Sequence, residues 1–175
     1  MSNIDLVLLG LIKQKSQSAY DIKKNIEYRN IPRWVRISEQ SIYKKVLQLE
    51  SKEYIVSYKE KEGNMPDKAV YTITDKGNDY FNKLMNDISN SDVSLYLDFN
   101  IIITNLDLVD DEQKKILVSN IKSKILELKE LLNERQSHRQ HIPNVGKQMF
   151  KQQLALVETL EKWIIDFENS LKGQN

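Results

Sequence analysis

The fold is decided by residues 38–74, which read SEQSIYKKVLQLESKEYIVSYKEKEGNMPDKAVYTIT. The first part, Glu39 to Lys52, has an inward row of apolar side chains at spacings of four and three, with two more beside it: Ile42, Val46 and Leu49, then Tyr43 and Leu47. That spacing predicts a helix with one buried face. Ser38 stands directly before it, where an N-cap residue accepts a hydrogen bond from the first turn.

The opposite face of this helix is polar and basic. Its outward row consists of Gln40, Ser41, Lys44, Lys45, Gln48 and Lys52. Amide, hydroxyl and ammonium groups in the first turns can hydrogen-bond base edges or phosphates, and a helix about 10–12 Å wide fits the major groove of DNA. Composition alone leaves open the alternative that this is an ordinary solvated helix face.

Two β-branched and aromatic runs follow the helix. They are Tyr54–Lys59 and Ala69–Thr74, and a polar, turn-rich segment separates them. Two such runs around a loop predict a β-hairpin, whose first strand has Tyr54, Val56 and Tyr58 on one face. The candidate phosphate-binding residues of the hairpin are Lys59, Lys61, Asn64 and Lys68.

Helices predicted on either side complete the pattern. Ile4 to Lys13 is apolar on nearly all sides, which predicts a buried helix, and Ser18 is placed to cap a second helix from Ala19 to about Tyr28. Pro32 makes residues 31–37 a connecting turn or short extended piece. Asp75 is placed to cap a further helix, from Lys76 to about Met85. Three helices followed by a hairpin is the element order of a winged helix-turn-helix.

Charge is distributed unequally between the two halves of the chain. Residues 1–85 contain 15 Lys and Arg against 11 Asp and Glu, whereas residues 86–175 contain 11 against 14. The balances of +4 and −3 sum to the net charge of +1. A basic half joined to an acidic half favours a phosphate-facing module attached to one that does not touch phosphate.

Four strings in the first half resemble the PadR family of bacterial transcriptional regulators. They are Leu8–Ile12 with Ser18–Ile22, Trp34 with Ile37–Tyr43, Leu47–Ile55, and Val70–Gly77. The last string matches the family's wing exit almost letter for letter. The resemblance implies a winged-helix DNA-binding domain followed by a helical domain that dimerises the protein.

The chain departs from the family pattern at several positions. Lys44 stands where the family usually has Pro, and Ser18 and Glu53 stand where it often has Gly. Asp67 and Lys68 occupy the place of a basic pair before the second wing strand. These differences concern base preference and wing contacts rather than the fold.

The second half is predicted to be helical, after a boundary at Ser89–Asp92. Val93–Asn105 is predicted as a helix, since Leu95, Phe99, Ile102 and Leu106 keep helical spacing. The acids Asp110, Asp111 and Glu112 begin a long helix by lying at its positive end. Pro143 and Gly146 lie around the turn into a last helix.

Apolar stripes at spacings of three and four run along both long helices. Two antiparallel helices with such stripes cannot cover themselves well, which predicts a homodimer. The predicted dimerisation residues, two of them from the first helix, are Leu6, Leu9, Val118, Ile121, Ile125, Leu128, Leu132, Val157, Leu160, Ile164, Phe167 and Leu171. The alternative is that these stripes pack only within one chain. A dimer would set two reading helices roughly 34–36 Å apart and predicts an inverted-repeat operator.

Other chemistry finds little support in the sequence. The chain has no cysteine, so disulfides and thiolate metal sites are excluded. His138 and His141, with Glu134, have metal-ligand spacing, but a solvated helix end explains them and no metal or other cofactor is expected. No apolar run has the roughly 20 residues that span a bilayer, and the start resembles no signal peptide, so no membrane partner and a cytoplasmic location are expected. Trp34 and Trp163 are candidates for stacking on a small aromatic effector, with core packing as the alternative.

The sequence therefore predicts a mainly α protein with a small β-hairpin: a winged helix-turn-helix domain at 1–88 and an antiparallel helical dimerisation domain at 89–175. The predicted function is transcriptional regulation, not catalysis, by a homodimeric repressor on a double-stranded operator. Gln40, Ser41 and Lys44 would read bases, while Tyr20, Tyr43, Lys45 and the wing lysines would hold phosphates, with Ser38 at the helix start. The alternative is a winged-helix module that binds another protein instead of DNA.

Overall fold

A computed structural model describes residues 2–33, 35, 39–61, 68–139 and 141–172 of the chain. The chain divides between Ser94 and Leu95 into two compact units. The predicted boundary fell earlier, at 88–89. Residues 88 and 89 are the last two residues of a helix, Asp75–Ser89, that belongs to the first unit. The boundary therefore lies beyond the end of this helix.

The described residues of the first unit form four α-helices and one small sheet. The helices are α1 (Asn3–Gln14), α2 (Ala19–Tyr28), α3 (Glu39–Ser51) and α4 (Asp75–Ser89). A 3-10 turn at Ile31–Arg33 follows α2, where Pro32 was predicted to end helical structure. The strands are β1 (Gln17–Ser18), β2 (Ile55–Glu60) and β3 (Lys68–Ile73). This confirms the predicted winged helix-turn-helix.

The sheet is antiparallel and has the order β1-β3-β2. Strands β2 and β3 form the predicted hairpin, in a register that pairs Ile55 with Ile73 and Glu60 with Lys68. The third strand, β1, was not predicted. It pairs Gln17 with Tyr71 and Ser18 with Val70 on the other edge of β3.

The core of the first unit forms around α1, because that helix is apolar on nearly every side. Leu8 and Leu9 are fully buried there. The buried members of this core are Leu8, Leu9, Leu11, Ile12, Ile22, Ile26, Ile31, Ile42, Val46, Leu49, Ile55, Tyr71 and Leu84. They come from each of α1, α2, α3 and α4 and from both hairpin strands, so the core fixes α3 against the rest of the unit.

The second unit is a helical hairpin with a short helical segment before it. Its long helices are α6 (Asp111–His138) and α7 (Asn144–Lys172), preceded by α5 (Asn100–Ile103) and a 3-10 turn at Leu106–Leu108. Helix α6 begins where the sequence placed it, since the Asp110 carboxylate accepts a 2.8 Å hydrogen bond from the Gln113 N–H. The buried core lies between the long helices and consists of Leu106, Val118, Ile121, Ile125, Leu132, Val157 and Ile164.

The predicted helix Val93–Asn105 is wrong for most of its length. Only Asn100–Ile103 is α-helical, and residues 92–97 have no regular secondary structure. Phe99, Ile103 and Leu106 pack against the core of the second unit, whereas Val93 is 100% exposed and Leu95 is 67% exposed. The helical spacing at the start of this segment therefore has no apolar surface to pack on, and isolated short helices are marginal in water.

In the described part of the chain, every helix is too short or too polar to cross a membrane.

Candidate nucleic-acid interface

Helix α3 is attached to the core along one face and exposed along the other. Ile42, Val46 and Leu49 are buried to 2% exposure or less, as their spacing predicted. Tyr43 and Leu47, which the sequence placed beside this row, are 45% and 60% exposed. They belong to the solvent face instead. At 100° per residue, both positions lie roughly a quarter turn or more around the helix from the buried row, so their side chains point away from the core.

The polar side chains predicted to read bases lie at the start of α3. The Lys44 side chain is exposed, and the Ser41 side chain is half-buried. The backbone of Gln40 lies in the first turn, while its side chain and all of Ser38 fall outside the described residues. Lys44 is therefore the predicted base-reading residue with a described, exposed side chain.

Lys45 points away from the solvent face. Its Nζ lies 3.3 Å from Oδ1 of Asp5, a carboxylate in α1 that is itself buried. The Asp5 Oδ2 accepts a 3.3 Å hydrogen bond from the hydroxyl of Tyr80 in α4. The ammonium group of Lys45, 100° around the helix from Lys44, is therefore engaged by a buried acid of the same chain, and its contact with phosphate stays a prediction.

The start of α2 presents a second group of polar side chains. Ser18 and Asp21 form a capping box: the Ser18 hydroxyl accepts from the Asp21 N–H at 3.2 Å and donates to the Asp21 carboxylate at 2.7 Å. The Ser18 hydroxyl holds the pKa of the Asp21 carboxyl below its ordinary value. Tyr20 follows in the first turn and is 57% exposed, with the Lys24 ammonium 4.6 Å from its ring centroid.

The wing supplies further cations. Lys59 and Lys61 are exposed, and the Lys68 Nζ lies 3.8 Å from the Glu60 carboxylate across the hairpin. Asn64, at the tip, lies outside the described residues. Val56 and Tyr58, which were predicted to share one face of the first strand with Tyr54, are 51% and 48% exposed. That face of β2 is therefore turned toward solvent.

Two open grooves connect the wing to the start of α2. One, of about 850 Å³, is lined by Lys61 and Lys68 together with Lys15 and two acids, Asp21 and Glu60. The other, of about 440 Å³, is lined by Tyr20 and Lys68 among others. The structure therefore brings Tyr20 together with Lys68, while Lys61 lines the neighbouring groove and Lys59 lines neither. Lys44 lines neither groove.

This surface offers hydrogen-bond donors and positive charge, which suit phosphates and base edges. Within the described ranges, no group of three or more His, Asp or Glu side chains could hold a metal ion. His138 and His141 are both exposed at the end of α6 and just after it.

The second unit contains an aromatic stack at the predicted effector residue. The Trp163 ring stacks with Phe99, at a ring-centroid distance of 5.7 Å, and with Phe167, at 5.5 Å, and it is within 19° of parallel to both. The indole is therefore packed within the chain, as the alternative of core packing expects. Trp34, the other predicted effector residue, lies outside the described residues.

Most of the predicted dimerisation residues are already covered within one chain. Leu9 is fully buried in the first unit's core, and Leu6 packs against that core. The members buried in the second unit are Val118, Ile121, Ile125, Leu132, Val157 and Ile164, with Leu160, Phe167 and Leu171 packed against them. Leu128 remains 40% exposed. The apolar stripes of the two antiparallel helices thus pack against each other within one chain. The apolar side chains that stay exposed are mostly others, outside these stripes.

Three residues of this region were missed by sequence reasoning. Lys24 had a usable signal, because it lies four residues after Tyr20 on the same helix face. The exposure of Leu47 could have been predicted from its angular position on the helix, which lies well away from the buried row of Ile42, Val46 and Leu49. Asp5 carried no signal beyond being an acid in an apolar helix, since its partners lie in α3 and α4.

Comparisons with known proteins identify a family pattern in the sequence and related folds. The sequence pattern of the transcriptional regulator PadR-like family matches residues 8–83. Among curated proteins, no sequence matches this chain significantly.

Several solved structures resemble the chain over nearly its full length. The chain is similar to Bacillus subtilis PadR in complex with operator DNA, with a TM-score of 0.83 and 16% identity, over 97% of this chain and 99% of that one. It is similar to the PadR-like regulator BC1756 from Bacillus cereus, with a TM-score of 0.75 and 23% identity, over 99% and 100%. It is also similar to Bacillus subtilis PadR in complex with p-coumaric acid, with a TM-score of 0.78 and 14% identity, over 98% of each chain. At these identities the likeness shows a shared fold.

Proposed function

We propose that the protein is a PadR-like repressor that binds an inverted-repeat operator as a homodimer, and the match of residues 8–83 to the PadR-like transcriptional regulator family supports this proposal. The observation that supports this most directly is the exposed face of α3. A helix whose inner row is buried to 2% exposure or less presents Lys44, Tyr43 and Leu47 to solvent on a rigid support.

In this proposal the two halves of the DNA-binding surface act differently. Lys44 donates to base edges in the major groove, where direct readout is unambiguous. Tyr20 and the wing lysines Lys59, Lys61 and Lys68 contact phosphates, which set the register of the protein on the duplex without reading sequence. Repression follows when the operator overlaps the site that the polymerase occupies.

The homodimer is proposed to form through the second unit. Apart from its buried core, that unit leaves many large apolar side chains exposed in the single chain, and a protein partner would cover such side chains. The exposed set includes Leu95, Tyr96, Ile101, Leu108, Ile116, Leu128, Leu156 and Ile165. Two copies joined in this way would present two α3 helices to successive turns of one DNA face.

A small aromatic effector is the third part of the proposal. Bacillus subtilis PadR has been solved with p-coumaric acid, and this chain has a ready-made aromatic stack of Phe99, Trp163 and Phe167. In this arrangement a planar aromatic ligand would extend the stack. In the Trp34→Phe variant, Trp163 is the one remaining tryptophan, so quenching of its fluorescence by p-coumaric acid supports this arrangement. Unchanged emission contradicts it.

A protein-binding module is the second candidate, and exposed apolar side chains in the first unit favour it. Tyr43, Leu47, Val56 and Tyr58 are between 45% and 60% exposed. A DNA-reading surface and a protein-docking surface would both use α3 and the wing, so binding experiments must separate them.

The deciding experiment measures binding to the DNA upstream of the protein's own gene across a salt series. The proposal expects a site-specific complex whose affinity falls steeply with salt, and a further loss in Lys44→Ala. Lys115→Ala serves as the matched control, because Lys115 is an exposed lysine of α6 in the second unit and its loss removes the same charge. Absent or salt-insensitive binding contradicts the repressor and leaves the protein-binding module.

A further inference from the structure

The first turn of α1 contains a buried carboxylate that DNA contact does not explain. The Asp5 side chain lies in the core-facing part of an apolar helix, and the residue is only 5% exposed. Its two oxygens face two other helices. Lys45 of α3 lies 3.3 Å from Oδ1, and the Tyr80 hydroxyl of α4 donates to Oδ2 at 3.3 Å.

This arrangement is a poor way to gain stability. Burying a carboxylate costs several kcal/mol, as an order of magnitude, and a single ion pair rarely repays that cost. Among the described residues Oδ1 accepts no well-directed hydrogen bond, so the Lys45 contact is an ion pair without the geometry of a full hydrogen bond. Burial, together with the nearby Asp5 carboxylate, raises the pKa of Tyr80, which keeps the phenol protonated as a donor.

The contact has a geometric effect on α3. Successive residues of an α-helix are 100° apart, so fixing the direction of Lys45 fixes the direction of Lys44 beside it. The buried row Ile42, Val46 and Leu49 holds α3 against the core but consists of smooth aliphatic side chains. A charged contact at a defined atom adds to this apolar packing a further restraint on the rotation of the helix about its own axis.

We propose that Asp5 is a positioning residue for DNA recognition: by holding Lys45 from α1, it sets the rotation of α3 and thereby the direction of Lys44. The proposal rests on α3 being the DNA-reading helix, as proposed above. It assigns to Asp5 and Lys45 a role in specificity without contact with DNA. Tyr80 extends the same role to α4, because its hydroxyl fixes the carboxylate that Lys45 meets.

The Asp5→Asn variant separates positioning from electrostatics. It makes the protein more positive by one charge and releases Lys45, so simple electrostatics predicts tighter binding to all DNA. A positioning role predicts the opposite for the operator: affinity for the specific site falls about tenfold, a typical cost of one degraded base contact. Affinity for unrelated DNA stays the same or rises, so the ratio of specific to non-specific affinity falls.

Matched variants complete the experiment. Asp79→Asn makes the same charge change at an exposed position of α4 and is expected to leave the ratio unchanged. Lys45→Arg keeps a cation opposite Asp5 and is expected to retain most of the ratio. If Asp5→Asn does not fold, the paired variant Asp5→Leu with Lys45→Met replaces the ion pair by apolar groups, a change that is often neutral for stability. The same loss of ratio is expected in that pair.

The outcomes are distinguishable. A wild-type protein without a site-specific complex overturns the proposed function itself. A wild-type protein that binds its operator, with an Asp5→Asn variant that is folded and keeps the wild-type ratio, overturns the role of Asp5 alone. Thermal unfolding of each variant, measured beside the binding, shows whether the molecules compared are folded at the assay temperature.

Discussion

The α-carbon of Gly77 lies so close to the carbonyl oxygen of Tyr54 that a β-carbon at residue 77 would stand 1.9 Å from that oxygen. The Tyr54 carbonyl cannot withdraw easily, because it accepts hydrogen bonds from both the N–H and the hydroxyl of Thr74, each at 3.1 Å. The first turn of α4 is therefore packed directly on the chain that enters the wing. Any side chain at residue 77 would separate the two.

Gly77→Ala is expected to lower the free energy of unfolding by about 1–3 kcal/mol, the usual cost of overpacking a close contact. Chemical denaturation monitored by circular dichroism measures the change. Asn82→Ala is the control, since Asn82 is exposed on the same helix. An alanine variant at residue 77 with wild-type stability would show that the Tyr54 carbonyl can move after all.

Glu53→Gly is expected to raise the midpoint of thermal unfolding by about 2 °C. Glu53 has a φ angle of 62°, a left-handed conformation that glycine adopts without strain. The substitution also removes an ion pair with Lys76 at 2.9 Å, but both side chains are largely exposed and such pairs contribute little.

Glu53→Gln distinguishes the two effects at this position. It keeps the backbone strain and removes only the charge, so its unfolding midpoint should be equal to or slightly below that of the wild type. A glycine variant that is less stable than the glutamine variant would mean that the backbone at residue 53 is not strained.

Ser18→Ala is expected to cost about 1 kcal/mol at neutral pH, because α2 loses its N-cap. The deficit should shrink in acid. The Ser18 hydroxyl lowers the pKa of Asp21 in the folded protein, so this carboxylate adds stability above its unfolded pKa and the contribution is lost as pH falls through the lower folded value. Denaturation at neutral pH and below about pH 4 measures the difference.

Thr74→Ala provides the comparison for that pH effect. Thr74 caps α4 by accepting from the Gly77 N–H, and the described contacts of its hydroxyl include no carboxylate. Its deficit should therefore change little over the same pH range. If the Ser18→Ala deficit is equally constant, the Ser18–Asp21 bond is not what lowers the pKa of Asp21.

Exchanging charges between α6 and α7 is expected to show that two ion pairs set the alignment of the helical hairpin. Lys122 pairs with Glu168 at 2.7 Å and Lys129 with Glu161 at 2.5 Å, one heptad apart on each antiparallel helix. Lys129→Glu or Glu161→Lys alone should lower the unfolding midpoint by a few degrees, and the double exchange should restore part of it.

Recovery in the double exchange should be incomplete for a specific reason. The hydrogen bond that Lys129 donates to Glu161 raises the pKa of Lys129, and the neighbouring Glu158 adds to that effect. A glutamate placed at residue 129 would meet Glu158 as a like charge. Additive losses in the double exchange would show that residues 129 and 161 do not interact.

Spacing along the chain was enough to predict most elements of the first unit. Helix α2 was predicted at its observed limits, and α3 and the two hairpin strands within one residue. These elements are defined by local periodicity and capping, which the amino-acid order contains directly. The exposed Lys44 of the candidate interface was predicted for the same reason, since the buried row of α3 determines the opposite face.

What the sequence could not determine depends on partners far along the chain. Strand β1 has only two residues, and it exists because Gln17 and Ser18 pair with Tyr71 and Val70. Val93–Asn105 has helical spacing, yet only its end finds a surface to pack on. The spacing of an apolar stripe on α6 likewise does not say whether the stripe packs against α7 or against another molecule, because that depends on segments far along the chain.

Lys45 shows the division most clearly. The sequence by itself determined that residues 39–52 form a helix with a basic face, because side-chain spacing and helical geometry are local properties. Only the tertiary structure decided that Lys45, the residue after the exposed Lys44, meets Asp5, because that contact joins residues 40 positions apart whose separation is set by the packing of α1 on α3. A buried charge takes its partner from whatever helix the core places beside it.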